Sequence, residues 1–131
     1  IVKNGAEARA RVAELLRTVE LNPPELFFEK YPHQLSGGQR QRILMARAIS
    51  LSPKLIVADE PVSMIDVSLR ISILNLMSKL NRELGIAFVY ITHDLATARY
   101  IAQTGKICVM YLGKLVDYGD ILPVLRNPMH P

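Results

Sequence analysis

The sequence has 131 residues, of which 50% are hydrophobic and 21% are charged, and this balance is typical of a folded globular domain. Its single cysteine, Cys108, excludes an internal disulfide and any metal site built from several cysteines. The net charge of +4 permits contact with nucleic acid or anionic lipid without requiring it, and the apolar runs are too short to cross a bilayer.

The first predicted element is a helix that begins after Asn4. Asn4 and Glu7 have the spacing of a capping box, and apolar residues recur at helical spacing from Val12 to Val19. The prolines at 23 and 24 end this helix. The stretch PPELFFEKYPHQ, residues 23–34, predicts irregular backbone with one short helical turn at most. Its aromatic side chains either contact a partner or hold a small subdomain together.

The stretch LSGGQRQR, residues 35–42, predicts the start of a second helix, from about Gly38 to Leu51. Ser36 and Gln39 have capping-box spacing. The helix start presents unpaired backbone N–H groups and the positive end of the macrodipole, and the glycines let a ligand approach closely. This predicts an anion site, the alternative being an ordinary capped helix. Arg40 and Arg47 share a face of this helix and Arg42 points the opposite way, which argues against a nucleic-acid stripe.

LIVADE, residues 55–60, predicts a strand that is buried on both faces of a parallel sheet and ends in two acids. Ligands bind at the carboxyl ends of such strands. Asp59 would hold Mg²⁺ through water, because this ion keeps most of its hydration shell. Glu60 would orient or deprotonate a water molecule. The alternative is a polar strand end that caps the next helix.

SMID, residues 63–66, predicts a loop before a third helix. An apolar stripe from Leu69 to Leu84 makes that helix a core element, and Gly85 is placed to end it. IAFVYIT, residues 86–92, predicts a second buried strand that carries His93 to the same sheet edge as the two acids. A lone histidine is usually structural, but its position at this sheet edge, beside the two acids, favours a role in the reaction.

The remaining sequence predicts a helix, a hairpin and a last short helix. Asp94 is placed to cap a helix that runs from Leu95 to about Gln103. ICVMYLGKLVDYG, residues 107–119, predicts a hairpin that turns near Gly113, and Asp120 is placed to cap the last helix.

In order and spacing, LSGGQ, LIVADEP, SMID and ITHD resemble the signature motif, Walker B strand, D-loop and switch histidine of ABC-transporter ATPases. The resemblance covers nearly the whole sequence. YPHQLSGGQRQR and EPVSMIDVSLR further resemble the oligopeptide/dipeptide and nickel importer subfamily. The implied fold is α/β, the C-terminal portion of a RecA-like parallel-sheet core of P-loop NTPases with part of the helical signature subdomain. The implied division is 1–52 for the helical part and 53–131 for the core.

The resemblance also implies a role for each matched position. The signature residues would bind the γ-phosphate of an ATP that the opposite subunit's P-loop holds, across a dimer: Ser36, Gly37, Gly38 and Gln39. The strand-end and loop residues would hold the Mg²⁺ shell (Asp59), polarise the attacking water (Glu60), contact the γ-phosphate and that water (His93) and communicate between the two sites (Asp66). Phosphoryl transfer needs mainly positioning and charge neutralisation, and such groups supply both.

The sequence departs from the family in two respects. Where the family usually reads Glu-Pro-Thr-Ser-Ala-Leu-Asp, Val62, Met64 and Ile65 differ, and Val62 lacks a hydroxyl. No G-x-x-x-x-G-K-[ST] occurs, and the adenine-stacking aromatic and the glutamine loop would also lie upstream. We therefore expect a C-terminal fragment of the domain that is inactive alone.

The implied function is ATP hydrolysis that energises uptake of oligopeptides, dipeptides or related solutes, with ATP and Mg²⁺ as cofactors. The implied partners are a second ATPase subunit, identical or paralogous and docked head to tail, the membrane-spanning permease subunits and, indirectly, an external solute-binding protein. The implied location is the cytoplasmic face of the cell membrane, and no nucleic acid is expected. Two alternatives remain: an ABC-type ATPase of DNA repair or chromosome structure, which would carry coiled-coil flanks, and a non-enzymatic dimerisation or regulatory module.

Overall fold

The computed structural model describes residues 4–63, 65–103 and 105–129. They form five α-helices, α1 to α5, and four strands, β1 to β4, in the order α1 (Gly5–Thr18), α2 (Gly37–Ile49), β1 (Leu55–Asp59), α3 (Val67–Leu84), β2 (Ala87–Ile91), α4 (Leu95–Ile101), β3 (Lys106–Tyr111), β4 (Lys114–Asp120) and α5 (Ile121–Arg126). The chain divides into two compact units, Ile1–Val89 and Tyr90–Pro131. The predicted division at residue 52 stays a prediction. Within the described ranges no helix is both long and apolar enough to span a bilayer.

The predicted helix starts are confirmed by their caps. Asn4 Oδ1 accepts a hydrogen bond from the Glu7 N–H at 2.8 Å. Asp94 Oδ1 accepts one from the Ala96 N–H at 2.9 Å. Helix α3 ends at Gly85, whose φ of 66° is the left-handed conformation that glycine adopts without a steric penalty.

The segment between α1 and α2 is more regular than the sequence predicts. Instead of one helical turn at most, it contains two short 3-10 helices, Pro24–Phe27 and Pro32–Gln34. A proline begins each of them, because its fixed φ suits the first helical position and its missing N–H is not needed there. The Gln34 side chain also accepts a hydrogen bond from the Tyr31 N–H at 2.8 Å, which closes the second turn.

The core of the first unit forms around α3. Five of its residues are buried: Ile73, Leu74, Leu76, Met77 and Leu80. Two of them, Leu76 and Leu80, pack in one apolar cluster with residues of α1 and α2. Most of the predicted stripe is therefore core, although Leu84 at its end is 53% exposed. The candidate site lies at the starts of α2 and α3.

Strands β1 and β2 form a two-stranded parallel sheet, connected by α3. The prediction that these strands are buried on both faces is wrong for this chain, because exposed and half-buried residues alternate along each of them. Ile56 and Phe88 pack against the helical core, whereas Leu55, Val57 and Val89 are 52%, 62% and 47% exposed. The described helices thus cover one face of the sheet and leave apolar side chains exposed on the other.

The second unit contains α4, the hairpin β3–β4 and α5. The strands pair antiparallel and are joined by Leu112 and Gly113, whose φ values of 48° and 75° are those of a two-residue hairpin turn. Asp120 precedes α5, but its side chain does not cap that helix and instead pairs with Lys106 Nζ at 3.3 Å. The hairpin prediction is confirmed, and the predicted cap is wrong because this carboxylate is used across the strands.

Candidate functional site

The first turn of α2 is capped from both sides. Ser36 Oγ accepts a hydrogen bond from the Gln39 N–H at 3.2 Å, and Gln39 Oε1 accepts one from the Ser36 N–H at 3.0 Å. This is the predicted capping box, and it fixes both side chains at the helix start. The Ser36 hydroxyl still has a hydrogen to donate, and the first N–H groups of the helix have no intrahelical acceptor. The turn is therefore equipped to bind an anion.

The two glycines of this turn are also packing residues. A Cβ added at Gly38 would lie 3.0 Å from Leu69 Cδ2, and one at Gly37 would lie 3.5 Å from Ile65 Cγ2. The start of α2 therefore rests closely against the loop before α3 and its first turn. Thus the structure brings the signature turn next to the loop that contains Asp66. A cleft of about 370 Å³ lies beside this turn, and Ser36 and Gln39 contribute to its wall.

Asp66 is the residue immediately before α3. Its side chain is exposed and makes no capping hydrogen bond to the helix. Its backbone carbonyl accepts from the Arg70 N–H at 2.8 Å, so the helix begins there without use of the carboxylate. The carboxylate is thereby available for a contact outside α3. The neighbouring Met64, a departure from the family pattern, lies outside the described residues.

The two predicted acids follow β1 directly. Asp59 is its last residue and is exposed, and Glu60 is half-buried with a φ of 47°. A left-handed φ is uncommon for glutamate, and β1 ends at the residue before it. The Glu60 carbonyl accepts hydrogen bonds from Ser63, at 3.3 Å from its N–H and 3.0 Å from its Oγ. These bonds close a turn directly after β1. Asp59 is therefore exposed at the end of the strand, whereas Glu60 is half-buried at the start of the turn.

Val62, a departure from the family pattern, lies within that turn. Its side chain is only 3% exposed, so it belongs to the apolar interior of the first unit. A valine suits this position because a buried hydroxyl would need a hydrogen-bond partner. The departure at Val62 therefore places an apolar side chain in this interior, and the two acids before it are those of the family pattern.

A site for Mg²⁺ is compatible with Asp59. No three His, Cys, Asp or Glu side chains cluster closely enough to hold a metal ion in the part of the chain that the structure describes. Mg²⁺ does not require such a cluster, because it commonly binds one or two carboxylates, several waters and the phosphates of a nucleotide. An exposed carboxylate at a strand end has the chemistry that this mode of binding requires.

His93 belongs to the second unit. It follows β2, is exposed, and precedes Asp94, the capping residue of α4. The Asp94 N–H donates to Thr92 Oγ1 at 3.1 Å, so a hydrogen bond joins the residues on either side of the histidine. The sequence prediction of a histidine between a strand and a capped helix is confirmed. Its chemical role stays a prediction.

Sequence reasoning missed Arg42 as a part of this region. The side chain of Arg42 is 15% exposed, and its guanidinium contacts the end of α1, Glu20 and α3. The signal in the sequence is an arginine on the face of α2 that also carries core residues. The orientation of Arg42 away from Arg40 and Arg47 does not by itself predict a partner for it.

Comparison with known proteins agrees with this geometry. The ABC transporter family matches residues 1–63. The glutathione import ATP-binding protein GsiA of Escherichia coli (strain K12) is 50% identical over 127 residues, which are 97% of this chain and 20% of that protein. The oligopeptide transport ATP-binding protein OppF of Streptococcus mutans is 47% identical over 131 residues, which are all of this chain and 41% of that protein. The chain thus spans less than half the length of either relative.

Solved structures give the same result. The dimeric ATP-binding cassette MJ0796, in a post-hydrolysis state bound to ADP and Pi, is 36% identical and has a TM-score of 0.73, with 91% of this chain and 49% of that chain covered. The ADP conformation of MJ1267, an ATP-binding cassette of an ABC transporter, is 29% identical and has a TM-score of 0.80, with 98% of this chain and 50% of that chain covered. In sequence and in fold, this chain is therefore similar to the ATP-binding domains of ABC transporters.

Proposed function

We propose that this chain is part of an ATPase subunit that energises the uptake of peptides or related small solutes. The observation that carries this proposal is the capped start of α2 with its two glycines, which packs beside the loop of Asp66. The chain is 47% identical to an oligopeptide transport ATP-binding protein and 50% identical to a glutathione import ATP-binding protein, and both solutes are peptides. This identity favours solute uptake over DNA repair or a purely regulatory module.

The signature turn would act on a nucleotide that a second subunit holds. The backbone N–H groups and the Ser36 hydroxyl at the start of α2 would bind the γ-phosphate of that nucleotide. A head-to-tail dimer meets this requirement, and MJ0796 is described as dimeric. In that arrangement Ser36, Gly37, Gly38 and Gln39 would surround the γ-phosphate, and the Asp66 carboxylate would lie at the same interface.

The acids and the histidine would perform the hydrolysis. Asp59 would hold Mg²⁺ through water, and the ion supplies neutralisation of the phosphate charge. Glu60 would orient the attacking water and accept its proton, and His93 would contact the γ-phosphate beside that water. The charge that develops on the phosphate oxygens would be stabilised by fixed donors at the start of α2.

Two kinds of partner follow from this function. The second ATPase subunit, identical or paralogous, would complete the nucleotide site. Permease subunits within the membrane would convert closure of the dimer into solute movement, with a solute-binding protein on the far side. The ATPase would therefore lie at the cytoplasmic face of the membrane as a peripheral subunit.

The test is phosphate release by a full-length subunit that carries this sequence. We expect Glu60→Gln to lower kcat by at least about 100-fold, because the amide keeps the shape of the side chain but cannot accept the proton. Binding of MgATP, measured by calorimetry, should be retained. Glu83→Gln, at an exposed position of α3, is the matched control and should leave kcat unchanged. Turnover that survives in Glu60→Gln would contradict the assignment.

The 131-residue chain tested alone gives a second arm. We expect weak binding of MgATP and no phosphate release, because the loop and lysine that hold the β- and γ-phosphates are not in the sequence. Phosphate release that Glu60→Gln abolishes would mean that another element of this chain replaces the P-loop.

A further inference from the structure

We propose that Arg42 is a positioning residue that holds the signature end of α2 in register with the Asp66 end of α3. The inference rests on the proposed function, in which both ends meet the same nucleotide. Arg42 donates from Nη1 to the Val19 carbonyl at 2.6 Å and to Glu20 Oε2 at 2.8 Å, and from Nη2 to Ser72 Oγ at 2.6 Å. One guanidinium therefore connects α2, the end of α1 and α3.

The contact with Ser72 continues a row of contacts between α2 and α3. Gly37 faces Ile65, Gly38 faces Leu69, and one helical turn further along α2 the guanidinium of Arg42 meets Ser72. The first two contacts are apolar and depend on close approach. They limit how near α2 and α3 can come to each other, but they do not prevent one helix from sliding along the other. The third contact is a directional hydrogen bond, and it fixes how far one helix has advanced along the other. Arg42 lies three residues after Gln39, about 4.5 Å along the helix axis, and is therefore close enough to govern the signature turn.

The charged groups around Arg42 stabilise its hydrogen bond to Ser72. Glu20 Oε2 lies 2.8 Å from Arg42 Nη1, and Glu20 Oε1 lies 3.5 Å from Lys79 Nζ on α3. Hydrogen bonds in which both partners are charged are stronger than neutral ones. Glu20 thus keeps the guanidinium in one orientation while Nη2 engages Ser72. Because a lysine has a single nitrogen in place of this planar fork, it cannot reach the carbonyl, the carboxylate and the hydroxyl in the same geometry.

The position of the signature turn should affect the transition state of hydrolysis more than the binding of ATP. The nucleotide would be bound in the ground state by the opposite subunit, and the signature turn would engage it only when the dimer closes. Small misplacement of a positioning group costs rate much more than binding. Loss of Arg42 should therefore lower kcat and leave KM for ATP nearly unchanged.

The first arm of the test measures turnover by the full-length subunit. We expect Arg42→Lys to lower kcat about tenfold or more with KM within about twofold, and Arg47→Lys, at an exposed position of the same helix, to change neither. Ser72→Ala should lower kcat in the same direction. The double variant Arg42→Lys/Ser72→Ala should be no slower than Arg42→Lys alone, because both changes remove one contact. Additive losses, or a kcat equal to that of Arg47→Lys, would overturn the proposal.

The second arm needs no activity and uses the 131-residue chain. Hydrogen exchange at the Gln39 and Arg40 amides, which bond to Ser36, reports the order of the signature turn. We expect Arg42→Lys to speed this exchange about tenfold relative to Arg47→Lys, and equal exchange would overturn the proposal. If exchange changes but the unsubstituted full-length subunit releases no phosphate, the positioning role stands and the proposed function fails.

Discussion

Glu20 shows how a single residue links pH to the stability of the signature region. Its backbone has a φ of 62° at the end of α1, and its carboxylate lies between Arg42 and Lys79. The hydrogen bond from Arg42 is the largest of the effects that hold the pKa of Glu20 below its usual 4.5. Since this pKa is lowered by folding, the ion pair stabilises the fold above the unfolded pKa, and its contribution is lost as pH falls through the folded value.

We therefore expect Glu20→Gln to be less stable than the unsubstituted chain at pH 7. Because the variant has no carboxylate at this position, its stability should fall less than that of the unsubstituted chain as pH drops below 4.5. The difference at pH 7 should not exceed about 1 kcal/mol, because a half-exposed ion pair is screened by solvent. Urea unfolding between pH 3 and pH 7 measures both, with about 0.5-unit steps sufficient to follow one carboxylate. Glu25→Gln, which removes a more exposed contact with Arg17, is the control. Equal pH profiles for the two variants would contradict the role of Arg42 as the cause.

At the scale of elements, the sequence was informative where local rules act alone. Helix starts at Asn4, Ser36 and Asp94 were predictable, because each cap depends on residues within one turn. The burial of β1 was not predictable from LIVAD, because burial depends on what lies against the strand and not on its own composition. The contacts of Arg42 could not be predicted either, since its partners are 22, 23 and 30 residues away in sequence.

Helix α3 is the element on which the first unit most depends. Leu80 is 1% exposed and packs in the core with residues of α1 and α2. We expect Leu80→Ala to lower the free energy of unfolding by about 2–5 kcal/mol, because it removes buried methyl groups and leaves a cavity. Leu84→Ala on the same helix, where the leucine is 53% exposed, should cost much less. Urea unfolding of the two variants makes the comparison, and equal losses would show that Leu80 is not a core residue.

The whole molecule exposes apolar strand residues that soluble domains normally cover. Leu55, Val57 and Val89 together form an uncovered patch on the β1–β2 sheet of the first unit. Exposed apolar patches on a sheet favour association with other chains.

We expect the 131-residue chain to self-associate in a concentration-dependent way through this patch. The double variant Val57→Thr/Val89→Thr keeps the β-branched shape but makes the patch polar, so it should lower the mean mass in light scattering. Val67→Thr, at a 68% exposed position at the start of α3, is the matched control. A monomeric unsubstituted chain at all concentrations would contradict the prediction.

The left-handed backbone of Glu60 has a consequence for how this position can be studied or can vary. Two separate properties meet at one residue: a carboxylate, and a φ of 47° that turns the chain out of β1. Glycine at position 60 would abolish the charge and also release the backbone, and a β-branched residue would oppose the turn itself. An unbranched amide alters the first property without the second. Loss of activity in a glycine or β-branched variant would instead combine an electrostatic change with a change in the path of the chain, and the two would be inseparable in a single rate.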